Sequence, residues 1–231
     1  MLNPISRLAF YDSAPLEGKV PPQMSFMGNG FADYPFLLID GFLPPETCAA
    51  LYADALATRR IVPAEVKEAN LPHARVDKNL RSTAWLSLDE TSQAIYRAAF
   101  LEQKPQIERF FNHLLLEGSG LQVLGYGPGD FYGMHADNCS ILLDEKGEIS
   151  GWQPVATQRK ITTVLFLNDD FEGGKLTFDF LKDANGQTLM LTPKAGTMVA
   201  FPSNPYFAHT VHPVSAGYRV TLVEWHDALR L

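Results

Sequence analysis

Residues 121–139 read LQVLGYGPGDFYGMHADNC, two β-like runs joined by a Gly-Pro-Gly-Asp turn, and the second run ends in His135-Ala136-Asp137. In a β-strand residues i and i+2 project from the same face. One imidazole and one carboxylate are therefore expected on the same side of a sheet, close enough to grip one cation. Two imidazoles and a carboxylate form the donor set that leaves iron(II) with open positions. His-x-Asp supplies two of those three donors. By itself it is a weak signal, since a strand histidine hydrogen-bonded to a neighbouring carboxylate would look the same. The second imidazole has to arrive from a distant strand, and His209 in FAHTVHPVSAGYR (207–219) is placed to supply it. His209 and Val211 share one strand face, Thr210 and His212 the other. Pro213 removes a backbone donor and ends the strand there, so His209 is preferred to His212.

Around this stretch the texture is that of short strands. After Gly118-Ser119-Gly120 come LQVLGY, FYGMHAD, SILL, KITTVLFLN, KLTFDF, TLMLT, TMVAF, AHTVHPV and YRVTLVEWH, separated by GPGD, DEKGE, DDFEGG, DANG and KAG. Many short strands at such spacing predict an all-β sandwich or barrel. The first half differs. PFLLIDGF from Pro35 reads as a strand, and Pro44, Pro45 and Glu46 open a helix whose buried face is Cys48, Leu51, Tyr52 and Ala55. Residues 60–83 read as irregular and RSTAWLSL (81–88) as one strand. A helix is expected from Asp89 towards Phe100, and a second from Pro105 with Ile107, Phe110, Phe111 and Leu114 on one face. Helices first and strands second predict a mainly β fold, a jelly roll with N-terminal α-helices packed outside the sheet. The expected organisation is one domain over 1–231, with an irregular arm (1–34), a helix-rich support (35–118) and a jelly-roll core (119–231).

Composition narrows the function. Nearly half of the 231 residues are apolar, enough for a sizeable core, and the net charge of −7 argues against nucleic-acid binding by general electrostatics. Two cysteines, Cys48 and Cys139, cannot build a disulfide framework and suit a reducing compartment. No long apolar segment opens the chain or is long enough to cross a bilayer, so a cytoplasmic protein without membrane partners is expected. Of the other histidines, His73 and His113 read as surface or structural residues and His226 has no obvious partner. Arg219 sits among apolar residues in YRVTLVEW, where a charge must be paired. Either an internal carboxylate pairs with it or its guanidinium fork takes a carboxylate ligand. Thr221 shares its face and offers a hydroxyl.

Taken together, RSTAWL, YGPGDFYGMHAD, FLNDDFEGG, HTVHPVSAGYR and EW resemble the 2-oxoglutarate- and iron(II)-dependent dioxygenases of the prolyl hydroxylase superfamily. The closest texture is that of the prolyl 3-hydroxylase (leprecan-type) catalytic domain, over about the last two thirds of the chain. The resemblance implies a double-stranded β-helix with iron held by His135, Asp137 and His209, and Arg219 paired with the far carboxylate of 2-oxoglutarate. Tyr126 sits where relatives often carry a tyrosine near that co-substrate. Phe166 stands where many prolyl hydroxylases have a second tyrosine, so Thr162, Thr221 and Tyr126 are the candidate donors beside Arg219. Arg81 and Tyr132 are expected on the substrate side. The implied reaction consumes O2 and 2-oxoglutarate, hydroxylates an unactivated C–H bond, and releases succinate and CO2. The substrate class stays open between a small molecule, an amino acid and a prolyl residue, and a compact chain inclines towards a small molecule or short peptide. An Asp at position 137 favours hydroxylation over halogenation. Two other classes compete: a cupin-type metal protein without 2-oxoglutarate, and a catalytically silent binding module. Arg219 speaks against the first and an intact donor set against the second.

Overall fold

The computed structural model describes residues 36–57, 81–183 and 185–231, with the backbone of two short strands at 24–25 and 62–63. The expected arm over 1–34, apart from that first strand, and most of 60–83 with His73 lie outside the described residues. In order, the first elements are β1 (Met24–Ser25), β2 (Leu37–Ile39), α1 (Pro45–Ala57), β3 (Val62–Pro63), β4 (Arg81–Ser82), β5 (Ala84–Leu86), α2 (Glu90–Phe111) and β6 (His113–Gly118). Strands follow: β7 (Gln122–Tyr126), β8 (Phe131–His135), β9 (Cys139–Leu143), β10 (Ile149–Pro154), β11 (Arg159–Phe166) and β12 (Glu172–Gly173). The last are β13 (Leu176–Lys182), β14 (Thr188–Leu191), β15 (Met198–Pro202), β16 (His209–Val211), β17 (Val214–Ala216) and β18 (Arg219–Arg230). No helix among the described residues is long and apolar enough to cross a membrane.

The larger sheet runs β2-β15-β11-β18-β7-β5-β3 with β6 beside β18, and the smaller runs β1-β13-β16-β8-β4 with β14 beside β13. The fold is the mainly β jelly roll that the strand spacing predicts. Alternation along the central strands sorts the core into two layers. On β11, Ile161 and Leu165 join the layer of the helices, and Val164 and Phe166 join the layer between the sheets. β18 divides the same way: Val220 and Leu222 pack towards Leu51, Tyr96, Ile107 and Phe111 of the helices. Its opposite face holds Val223 in the layer built around Phe178, Phe201 and Val211. Period 2 puts alternate residues on opposite sides, so the strands that hold the site are braced from behind.

Three local expectations give way to tertiary packing. The two expected helices are one, α2, with Pro105 inside it. Proline removes an intrahelical donor, yet Tyr96 on one side of it and Ile107 and Phe111 on the other are buried in the same core layer. Packing of one face outweighs the local break. Asp89 caps the helix, its Oδ1 accepting from Ser92 N at 2.7 Å, and Asn112 ends it in the left-handed conformation at φ 55°. That turn sends His113–Gly118 into β6, so Leu114 is not on a helical face and His113 is a buried strand residue whose Nδ1 lies 2.7 Å from Phe111 O. RSTAWLSL likewise splits at Thr83: β4 pairs with β8 in the smaller sheet and β5 with β7 in the larger. The hairpin strand β10, paired with β9, has no clear signal in the sequence.

His226 gains a partner on the helix side of β18. Its ring stacks on Phe100, with centroids 4.8 Å apart, and its Nε2 lies 3.0 Å from Thr163 Oγ1. Burial pushes its pKa down to about 4, with Lys104 adding to the shift. The unfolded imidazole titrates near ~6.5. Between those values the unfolded chain holds the extra proton, so His226 costs stability as the pH falls through this window. His226→Leu is expected to lose about 2 kcal/mol less stability than the parent between pH 7 and pH 5. Urea unfolding at the two pH values measures this difference, and equal losses would contradict it.

Candidate metal centre

β8 and β16 lie antiparallel, and the register sets His135 directly opposite His209. Val211 then opposes Tyr132, so Thr210 alone on β16 faces two residues of β8, Gly133 and Met134, which is a bulge. A bulge bends the strand and re-aims side chains. Here Tyr132 and His135, three residues apart, turn to the same side and stack with ring centroids 3.5 Å apart. The His135 and His209 rings are 4.1 Å apart. Asp137 reaches the site differently from the expected strand alternation: it lies in the turn beyond β8, where Ala136 bridges Cys139. Its Oδ1 is 3.8 Å from His135 Nε2, and the ligand atoms of His135, Asp137 and His209 all lie within 4.8 Å of one another.

The hydrogen bonds around these three side chains prepare them for a cation. His135 Nδ1 faces Gly133 O at 2.9 Å and His209 Nδ1 faces Phe207 O at 3.0 Å. A ring nitrogen facing a carbonyl carries the proton, which leaves Nε2 as a free lone pair. Burial, helped by the neighbouring His209, holds the His135 pKa well below the usual imidazole range, so the ring is neutral. Thr162 Oγ1 donates to Asp137 Oδ2 at 2.7 Å and is 2.8 Å from Ser203 Oγ. Arg159 Nη1 donates to Asp137 O. Asn138 N donates to Ser203 O, and Asn138 O accepts from Val155 N and Ala156 N at 2.9 and 3.1 Å. The turn carrying the carboxylate is thereby tied to β11, to the end of β15 and to the return of the β9–β10 hairpin. Trp152 of that hairpin is fully buried with Phe180, Ala136 and Cys139, next to the same turn.

A cavity of about 420 Å³, counting the part open to solvent, lies between the sheets and is lined by all three donors. Arg219, Thr221, Val223 and Trp225 line it from β18, and the register places Tyr126, Leu124 and Gln122 beside the first three. Arg219 is 1% exposed, with its Cζ 4.7 Å from the Tyr126 ring centroid and 5.4 Å from that of Phe166. Among the described residues its Nε and Nη1 have no hydrogen-bond partner, and no carboxylate pairs with it. Burial lowers its pKa, and a buried charge without a counter-charge is costly. Among the described residues the fold thus provides no internal salt bridge to it. The guanidinium is left to an anion entering the cavity.

Gly174 makes room for it. At φ +58°, a Cβ there would come within 2.9 Å of Arg219 Cδ and 2.8 Å of Phe171 Cε2. The sequence suggests only a turn at this position, because the close approach is made by residues distant in the chain. Arg81 also reaches the cavity: its Cζ is 4.7 Å from the Tyr132 ring centroid and its Nε donates to Thr83 Oγ1 at 2.8 Å. Its Nη2 is buried and without a partner among the described residues. Burial pushes the Tyr132 pKa up to about 12 and keeps the phenol neutral.

The remaining sequence candidates fall into place around this cavity. Thr162 and Thr221 both line it, but the Thr162 hydroxyl is already engaged with Asp137 rather than standing beside Arg219. His212 points away, its Nε2 3.2 Å from Thr177 Oγ1. Burial pushes the Cys139 thiol up to about 12, and it donates to Asn138 Oδ1. Arg159 and Ser203 belong to no motif and Gly174, the last residue of FLNDDFEGG, reads only as part of a turn, so nothing in the sequence marks these three as part of the site.

The comparisons with known proteins agree with this geometry. Residues 121–227 match the family model described as the 2OG-Fe(II) oxygenase superfamily. Human prolyl 3-hydroxylase 3 is 31% identical over 167 residues, covering 70% of this chain and 22% of that protein. Rat prolyl 3-hydroxylase 2 is 40% identical over 93 residues, covering 40% of this chain and 13% of that one. The chain therefore matches less than a quarter of the length of these curated relatives. A prolyl-4-hydroxylase from Pseudomonas putida superposes with a TM-score of 0.59 at 22% identity, covering 83% of this chain and 91% of that one. A Trichoplax adhaerens prolyl hydroxylase, solved with a hypoxia inducible factor peptide, gives 0.58 at 17% identity and 83% of each chain. The chain carries a 2OG-Fe(II) oxygenase domain, and that domain is of the prolyl hydroxylase type. A domain of this family implies dioxygenase chemistry with iron(II), 2-oxoglutarate and O2, and His135, Asp137 and His209 are the residues placed to hold the metal.

Partners of a metal ligand set its orientation and basicity, and losing one typically costs about 10–100-fold in affinity. Thr162→Val is accordingly expected to weaken iron(II) binding about 10–100-fold in anaerobic calorimetric titration, while His209→Ala abolishes it. Unchanged binding by Thr162→Val would remove that hydroxyl from the metal site.

Proposed function

We propose that this domain hydroxylates a prolyl residue within a peptide, with His135, Asp137 and His209 holding the iron and Arg219 holding the far carboxylate of 2-oxoglutarate. One observation carries the reading: three donor atoms and a buried guanidinium without a counter-charge among the described residues open into the same cavity. Two imidazoles and a carboxylate match the preference of iron(II) and leave coordination positions open. A planar fork of N–H donors matches a carboxylate in both shape and charge. Bound together, iron(II) and 2-oxoglutarate supply the activation of O2 and the oxidising equivalents for C–H hydroxylation.

The chain's own residues do the holding. The carbonyls of Gly133 and Phe207 fix both imidazoles with Nε2 turned inward, and Thr162 steadies one carboxylate oxygen of Asp137. Phe166 offers no hydroxyl beside Arg219, so Tyr126, whose ring lies under the guanidinium, and Thr221, next along the same face of β18, are the residues left to steady the bound carboxylate. Leu124, Val164, Leu176 and Val211 line the cavity with apolar surface and limit water there, which strengthens each charged contact. Arg81 and Tyr132 face the substrate side. A prolyl residue as the target is supported by the relatives, which are named prolyl 3-hydroxylases.

Arg219→Ala is expected to raise the 2-oxoglutarate requirement by about a hundredfold, the scale of a lost charge-assisted bidentate contact, while iron binding stays intact. Anaerobic titration of the iron-loaded protein with 2-oxoglutarate, followed by its visible charge-transfer band, reads this directly. An unaltered requirement would displace Arg219 from its role. His135→Ala is expected to abolish succinate formation. The target residue is tested by incubating the iron-loaded protein with proline-containing peptides and with free L-proline, and looking by mass spectrometry for one added oxygen. Oxygen added only to free L-proline would refute the peptide reading.

A further inference from the structure

The face of β18 that lines the cavity continues past Trp225. Arg219, Thr221, Val223 and Trp225 line the cavity, and the same alternation places Asp227 and Leu229 on that side, both exposed, with buried Ala228 turned to the helices. β6 runs alongside, with Leu114 opposite Leu229 and Leu115 opposite Ala228. Directly opposed residues share a face, so Leu114 and Leu229 stand side by side and Leu116 follows along β6. These leucines are 41%, 55% and 43% exposed, respectively. Leu115, on the reverse face, is buried. Arg159 marks the boundary between this shelf and the cavity: it pairs with Asp227 in the β11–β18 ladder, and its Cζ lies 3.6 Å from the Trp225 ring centroid. Trp225 Nε1 and Arg81 Nη2, two buried donors among the residues lining the cavity, have no acceptor among the described residues.

We propose that Leu114, Leu116 and Leu229 seat an apolar side chain of the peptide substrate, several residues away from the one oxidised at the metal. This rests on the peptide reading above. Its support is continuity, since one face of one strand leads from Arg219 past Trp225 to the shelf. From Trp225 to Leu229 the strand advances ~13 Å, the length of about four residues of extended chain. A free amino acid spans neither that distance nor both ends of it. An extended peptide does, and its main-chain carbonyls supply acceptors of the kind that Trp225 Nε1 and Arg81 Nη2 lack. The three leucines select by apolar contact, with Asp227 and Arg159 standing between them and Trp225.

The test uses the iron-loaded full chain with 2-oxoglutarate and a pool of short peptides that have a central proline and randomised flanks. Hydroxylated members are identified by mass spectrometry. Leu, Ile, Val or Phe is expected to be enriched about three to five positions from the hydroxylated proline on one side. In the double variant Leu114→Ser with Leu229→Ser that enrichment disappears, and KM for an enriched peptide rises about tenfold or more. Anaerobic 2-oxoglutarate binding by the variant serves as the measure of its folding and is expected to match the parent. Peptide hydroxylation without apolar enrichment, or with enrichment that survives the double variant, overturns the shelf and leaves the peptide reading standing. Turnover of free L-proline but of no peptide overturns both. A parent that is dimeric by light scattering and becomes monomeric in the double variant assigns the shelf to a second copy of the chain and also overturns it.

Discussion

Two imidazoles facing each other across the β8–β16 ladder are the constraint that the rest of this domain serves. Bringing two buried rings and a carboxylate within coordinating distance has a cost, because each polar group has left water. The fold meets that cost locally. Each ring gives its Nδ1 proton to a carbonyl two residues back, and one carboxylate oxygen takes a hydroxyl from Thr162. What remains unsatisfied points at one place. A bulge in β8 turns His135 to the side of His209, and the turn carrying Asp137 is anchored by Arg159, Ser203 and the return of the β9–β10 hairpin.

The cavity is electrostatically uneven by construction. Arg219 lies deep between the rings of Tyr126 and Phe166, whose faces return part of the lost hydration, on the order of 0.5–2 kcal/mol. That does not replace an anion. The larger sheet can hold the charge in place because α1 and α2 brace its back with Leu51, Ala55, Tyr96, Ile107 and Phe111. Gly174 keeps the space that the side chain occupies. A dioxygenase that takes a dicarboxylate co-substrate needs this kind of standing electrostatic demand, since the ligand then binds in one orientation with its far carboxylate fixed.

Much of the architecture is legible in the sequence. Short apolar runs at β7, β11, β13, β15 and β18, each bounded by turn residues, report strands, because a strand buried on both faces is short and apolar along its length. His135, Asp137, His209 and Arg219 stand out as chemistry in places where apolar residues are otherwise expected. Sequence and fold part company where local signals compete. Pro105 reads as a helix start, yet it is carried inside α2 because both flanks bury side chains in one core. The run after Phe111 is apolar enough for either state, and the left-handed turn at Asn112 makes it a strand. RSTAWLSL belongs to two sheets, a fact that no local pattern encodes.

Pattern along the chain therefore suffices for the class of fold and for the donor atoms, since periodicity and residue type are local properties. Distances and partners are another matter. That Asp137 arrives by a turn, that Thr162 serves the carboxylate and not the arginine, that Arg159 and Ser203 hold the site, and that Arg219 has no internal counter-charge among the described residues all depend on residues remote in sequence. Only closure of one sheet upon the other brings them together, because hydrogen bonds and buried charge are set by proximity in space and leave no periodic trace in the chain.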